Sequence, residues 1–193
     1  MNRVCVFCGS SAGLRPSYVN AAQHLGRTLA RRGLSVVYGG AHVGLMGALA
    51  DGALEAGGEV IGIIPESMMA REIGHTRISD LRVVRSMHER KAAMESLADA
   101  FVALPGGMGT LEEFCEILTW GQLGLHRKPC GLLNIDGYYT RLLGFMDHMV
   151  EERFLKPAHR EWIVVEDEPE RLLDRLQTTH PPKLEKWIRA SET

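Results

Sequence analysis

Short runs of consecutive apolar residues recur along the chain, separated by longer stretches whose apolar positions return every three or four residues. The runs fall at 4–7, 34–37, 60–64, 81–84, 100–104, 129–133 and 163–164. They are rich in Val, Ile and Leu and most are bounded by glycine, proline or polar residues, which predicts short buried strands. The stretches at 17–32, 44–56, 87–98, 111–123 and 138–150 predict helices, and a last helix is expected over 169–176. Gly33 and Gly57 stand where helices should end. Strand–helix alternation with continuously apolar strands predicts an α/β fold, a Rossmann-like doubly wound parallel sheet of about seven strands with helices on both faces. The chain reads as a single domain over 1–193. Its tail, 180–193, carries two prolines, mixed charge, and Trp187 and Ile188 as docking residues.

Composition narrows the classes of function. Net charge is −2, from 22 basic and 24 acidic residues, so no general affinity for nucleic acid or membrane surfaces is expected. No apolar run approaches the roughly 20 residues that span a bilayer. The first run, at 4–7, is too short for the core of a signal peptide, and a cytoplasmic location is expected. The 21 glycines exceed the usual share of about 7% and cluster at turns. Cys5 and Cys8 form a CxxC, but it lies in a predicted strand, where residues three apart point to opposite faces. The four cysteines therefore read as buried free thiols, and neither a metal nor a redox cofactor is implied.

Three glycine-bearing turns fall at predicted strand ends: Cys8-Gly9-Ser10-Ser11-Ala12-Gly13, Tyr38-Gly39-Gly40-Ala41, and Pro105-Gly106-Gly107-Met108-Gly109-Thr110. Ligands of doubly wound sheets bind beyond the carboxyl ends of the strands, so all three can face one cleft. The third turn runs into a predicted helix near Leu111, with Glu113 within its first turn. Glycine lets backbone approach a ligand closely, and free amides at a helix start attract anions. A phosphate cradle beside an acid follows from that order. None of the turns spells GxGxxG, no acid ends the second strand to hold a ribose, and GxxxxGK[ST], GxSxG and HExxH are absent. Dinucleotide, P-loop, serine-hydrolase and zinc-protease chemistry are thereby disfavoured. His42, His75 and His88 read as solvated or structurally bonded side chains.

Pro105-Gly106-Gly107-Met108-Gly109-Thr110-Leu111-Glu112-Glu113 fits PGGxGTxxE in full, and Met87-His88-Glu89-Arg90-Lys91 opens the preceding helix. These two segments resemble the LONELY GUY family of cytokinin-activating phosphoribohydrolases, often mislabelled lysine decarboxylases. The turns at Cys8-Gly9-Ser10-Ser11 and Tyr38-Gly39-Gly40 are similar to that family too, as is the layout from Arg3 to Ile163. The resemblance implies hydrolysis of the N-glycosidic bond of adenosine 5′-monophosphate or its N6-modified relatives, giving free base and ribose 5-phosphate. It implies Arg90 and Glu113 as catalytic residues. It implies a substrate site lined by Lys91, Gly107, Met108, Gly109, Thr110, Leu111 and Glu112, with Glu72 and Thr119 as further contacts. It also implies a homodimer with sites near the subunit interface, to which Trp120 and Leu123 are candidates.

Elementary chemistry is compatible with that site. Breaking an N-glycosidic bond develops positive charge on the sugar, which a carboxylate stabilises, attacks, or relieves by activating water. Glu113 is the best-placed candidate: on a helical wheel Leu111, Phe114, Cys115 and Leu118 form the core stripe, and Glu112, Glu113 and Glu116 lie off it. Arg90 nearby favours the ionised carboxylate. Charge-assisted hydrogen bonds contribute about 1.5–3 kcal/mol each, so two lost with the phosphate weaken binding on the order of a thousandfold. Plainer readings stand beside this one. Thr110-x-x-Glu113 is also the spacing of a helix capping box, and Arg90 and Lys91 also suit an exposed, ion-paired helix face near Glu89 and Glu95. Two other functions compete with this one. A nucleotide carrier binds without cleavage. A pyridoxal-phosphate lysine decarboxylase needs a Schiff-base lysine, and none of Lys91, Lys128, Lys156, Lys183 and Lys186 sits in a recognisable cofactor signature.

Overall fold

A computed structural model describes residues 1–69 and 73–182. Glu72 and the tail with Trp187 and Ile188 lie outside the described residues. Seven strands form one sheet: β1 (Arg3–Phe7), β2 (Ser35–Tyr38), β3 (Val60–Pro65), β4 (Asp80–Val84), β5 (Ala100–Ala103), β6 (Cys130–Leu133) and β7 (Ile163–Glu166). They are parallel throughout, in the order β4-β3-β2-β1-β5-β6-β7. The longer helices are α1 (Pro16–Arg31), α2 (Gly44–Glu55), α4 (Met87–Leu97), α5 (Met108–Gln122), α6 (Thr140–Glu151) and α8 (Pro169–Thr178). Two short ones, α3 (Glu66–Met69) and α7 (Pro157–Glu161), and a 3-10 turn at Ile135–Gly137 are not foreseen from sequence, because four or five residues show no periodicity.

Alternation along the strands builds two cores. Val4 and Val6 of β1 point to one face, where α1, α2 and α8 supply Leu25, Leu49 and Leu172. Cys5 and Phe7 point to the other, against Met94 of α4, Phe114 of α5 and Met146 of α6. Cys5 and Cys8 accordingly belong to different cores and cannot share an ion. No helix among the described residues is long and apolar enough to cross a membrane.

The topology fixes where a ligand can sit. From β1 the chain builds outward through β2 and β3 to β4, then returns to lay β5 on the other side of β1. Neighbours β1 and β5 thus lead into loops that diverge, which is the switch point where doubly wound sheets open a crevice. The turn after β1 and the turn after β5 meet there, joined by the Gly9 amide donating to Pro105 O at 3.1 Å.

Candidate active site

The helix behind the third glycine turn begins earlier than its sequence suggests. Gly107 is the N-cap of α5, and Met108, Gly109 and Thr110 are already helical. No side chain caps this end, and the first amide to find a backbone acceptor is that of Leu111, on Gly107 O at 3.1 Å. The amides of residues 106–110 meet no acceptor among the described residues, the condition for an anion site at a helix start. Thr110 and Glu113 do not form the capping box that their spacing allows, since Thr110 lies three residues past the N-cap. The box-like exchange occurs on α4 instead, where Glu89 N donates to Ser86 Oγ and the Glu89 carboxylate accepts from Arg85 N.

Glu113 is not off the core stripe either. It is 7% exposed, and the buried face of α5 runs through Thr110, Glu113, Phe114, Ile117 and Leu118, with Leu111 and Cys115 half-buried. Glu113 shares that inward face with Thr110 three residues before it and Ile117 four residues after it. There its Oε1 accepts from Arg90 Nη1. Arg90 is 6% exposed and reaches in from the first turn of α4, with Nε donating to Ile63 O at 3.1 Å. The plain reading of Arg90 as a solvated helix charge is therefore replaced by a buried ion pair. Gly39, after β2, makes room for it: a Cβ there would stand 2.3 Å from Arg90 Nη2. Of the three glycine turns, the first and third line one cleft, while the second packs against Arg90 instead.

Only Oε1 of Glu113 is hydrogen-bonded, which leaves Oε2 for chemistry. Burial pushes the Glu113 carboxyl above its ordinary value, and the charge and hydrogen bond of Arg90 oppose this without cancelling it. The expected pull of Arg90 toward the ionised form is present, but burial outweighs it. Cys8, close to the pair, is an inert thiol, pushed up by burial and then by the Glu113 charge.

The remaining sequence candidates are spread around this centre. Thr110 is buried against Gly106, while Gly107 and Gly109 are open enough that a Cβ would meet nothing within 4 Å. Met108 is exposed, and Leu111 lines an apolar cleft of about 350 Å³ with Tyr138, Tyr139 and Leu142. A second cleft of about 270 Å³ runs from Gly9 to Gly13 along Gly106 and Gly107. Lys91 is held by Glu112 at 2.7 Å and Glu116 at 2.9 Å, which raises its pKa, the Glu112 hydrogen bond contributing most. Thr119 is exposed two turns further along α5, its hydroxyl returned to Cys115 O. Trp120 packs partly into the core, whereas Leu123 stands exposed. His42 bonds Ile73 O, and His75 is buried on Asp51. Among the described residues, one group of potential metal ligands exists, His24, Glu168 and Glu170. It belongs to α1 and the start of α8, on the other face of the sheet, where carboxylates favour the helix dipole. Sequence reasoning missed Tyr138 and Tyr139, whose hydroxyls bond Gly106 O and Leu104 O at 2.5 and 2.6 Å; the preceding Asp136-Gly137 turn was their only local signal.

Known proteins resemble this chain in sequence and in fold. Residues 46–176 match a family model described as "possible lysine decarboxylase". The probable cytokinin riboside 5′-monophosphate phosphoribohydrolase LOGL6 of Oryza sativa subsp. japonica is 50% identical over 179 residues, covering 93% of this chain and 72% of that protein. The cytokinin riboside 5′-monophosphate phosphoribohydrolase LOG7 of Arabidopsis thaliana is also 50% identical, over 93% of this chain and 82% of its own length. In fold, the molybdenum cofactor binding protein of Rippkaea orientalis superposes with a TM-score of 0.70 at 22% identity, over 92% of this chain and 96% of that one. With half its residues shared across nearly its whole length with the plant proteins, the chain belongs to the LONELY GUY family of cytokinin riboside 5′-monophosphate phosphoribohydrolases.

Proposed function

We propose that this chain hydrolyses the N-glycosidic bond of a purine riboside 5′-monophosphate, AMP or an N6-modified cytokinin relative, to the free base and ribose 5-phosphate. The observation that carries the reading is the buried Arg90–Glu113 pair lying directly behind an uncapped helix start. The amides of residues 106–110 bind the 5′-phosphate, with the helix dipole behind them. Glu113 Oε2 then faces the sugar. As the bond from C1′ to the base breaks, the base leaves with the electron pair and positive charge grows on the sugar. The Glu113 carboxylate stabilises that charge and takes a proton from the water that adds to C1′; that proton passes on to the departing base, which leaves neutral, and Glu113 returns to its ionised form. Arg90 holds the carboxylate by its other oxygen and opposes, without cancelling, the effect of burial. A carboxyl raised toward neutrality by its surroundings suits that task.

The decarboxylase description of the matching family model finds no support in Lys91 or Lys128. A Schiff-base lysine needs a lowered pKa, whereas that of Lys91 is raised by its carboxylates. Lys128 is engaged by Glu95 at 2.5 Å. A nucleotide carrier has no use for a buried acid with a free oxygen beside the cradle. We further propose a homodimer, supported by exposed Leu123 and Leu125 at the end of α5.

The test is product analysis. Purified protein is incubated separately with AMP, isopentenyladenosine monophosphate, adenosine and lysine, and the products are separated. Free base from the two monophosphates, with the nucleoside slower by about a thousandfold from the lost phosphate contacts, is expected. Equal turnover of adenosine and AMP, or decarboxylation of lysine, overturns the reading.

A further inference from the structure

The glycine cradle contains a hazard that its glycines create. The peptide between Gly106 and Gly107 has no side chain on either side, so little steric resistance opposes its rotation. In a trans peptide the carbonyl and the following N–H point in opposite directions. Rotating this one peptide would exchange the Gly107 N–H for the Gly106 carbonyl at the phosphate site, replacing a donor by a repelling oxygen. The chain holds this peptide from behind. Tyr138 donates its hydroxyl to Gly106 O at 2.5 Å, Gly9 N donates to Pro105 O at 3.1 Å, and Tyr139 donates to Leu104 O at 2.6 Å. Three successive carbonyls are thus tied down. Of the two side-chain ties only that of Tyr138 controls a free glycine amide, because the Leu104–Pro105 peptide behind the Tyr139 tie has no N–H; the Pro105–Gly106 peptide is held by backbone.

The element that presents Tyr138 is costly to build. Asp136 and Gly137 both adopt left-handed backbone, with φ of 51° and 70°, and Asp136 is a non-glycine residue there. Its carboxylate is held by Ser17 Oγ at 2.6 Å and Arg15 at 3.5 Å. The Tyr138 ring is fixed edge-on between Tyr18, at 5.7 Å, and Tyr139, at 5.0 Å. A strained turn, two anchors and two ring contacts converge on one hydroxyl.

We propose that Tyr138 is a positioning residue for phosphate recognition, its hydroxyl holding the Gly106–Gly107 peptide with the N–H toward the anion. The proposal rests on residues 106–110 being the phosphate site. Tyr138→Phe removes the hydroxyl and keeps the ring between its neighbours, so the fold is retained. Binding of ribose 5-phosphate and inorganic phosphate is measured by calorimetry in wild type and variant, with steady-state kinetics on AMP. The expected result is that both anions bind about tenfold more weakly, roughly 1.4 kcal/mol, and KM for AMP rises by a similar factor while kcat changes less than about twofold. Tyr139→Phe, the same deletion one residue on, is expected to lower the melting temperature and leave anion binding within about twofold, because no misdirected amide follows Leu104. Unchanged anion affinity in Tyr138→Phe, or an equal loss in both variants, overturns the proposal. A wild type that binds ribose 5-phosphate but cleaves no nucleotide sinks the hydrolase reading alone; a wild type that binds neither anion sinks both.

Discussion

Glu113 is the residue on which the proposed chemistry turns, and its surroundings set how it responds to pH. Burial raises its pKa, and Arg90 only partly restores it. The reactive form is the ionised one, so activity must fall as pH drops through that raised value and recover as pH rises through it. The acid limb of kcat/KM for AMP is therefore expected above the ordinary glutamate value. A limb at or below that value would remove Glu113 from the reacting groups, since kcat/KM reports the ionisations of the free enzyme. This residue also shows where a sequence stops informing. Its type and its place in PGGxGTxxE were legible, but its direction was not. A helical wheel with Leu111, Phe114, Cys115 and Leu118 as the core stripe turns Glu113 outward, whereas the observed buried face, Thr110, Glu113, Phe114, Ile117 and Leu118, is rotated from that stripe and includes it. Arg90 was likewise legible as a residue and illegible as a buried one. Its burial depends on the Ile63 carbonyl and the vacancy at Gly39, both distant in sequence.

The six longer helices were read correctly as elements, and the ends of two of them shape the candidate site. An uncapped α5 leaves amides free for an anion, whereas α4 is capped locally by Ser86 and Glu89 and so delivers Arg90 at a fixed angle. On the opposite face, α1 and α2 cross at backbone distance. A Cβ at Gly26 would stand 2.2 Å from Leu49 O, and one at Gly52 would stand 2.4 Å from Gln23 O. Backbone cannot move aside as a flexible side chain can. Gly26→Ala is expected to destabilise the fold by about 2–3 kcal/mol through overpacking, seen as a fall of about 4–10 °C in melting temperature. A melting temperature equal to that of wild type would show that the two helices separate without cost. This close crossing was not legible, because glycine inside a helical pattern looks like a weak helix position until its neighbour is known.

At the scale of the molecule, the parallel sheet and its switch point were legible from alternation and buried apolar runs. The strand order was not, since pairing across β1 and β5 joins residues nearly a hundred positions apart. That order brings the turn after β1 to the turn after β5 and sets the arginine of α4 below them. The proposed function divides labour across one crevice: the start of α5 to hold phosphate, Tyr138 to keep the glycine peptide in place, and Glu113 to act on the sugar. Glu113→Gln separates the parts most directly, because the amide retains the side chain's shape and can still accept from Arg90. Turnover of AMP and direct binding of AMP are measured on the same variant preparation. The account predicts that kcat falls by about a thousandfold while AMP binds within about threefold of wild type, the phosphate contacts being untouched. Full turnover by Glu113→Gln would contradict it.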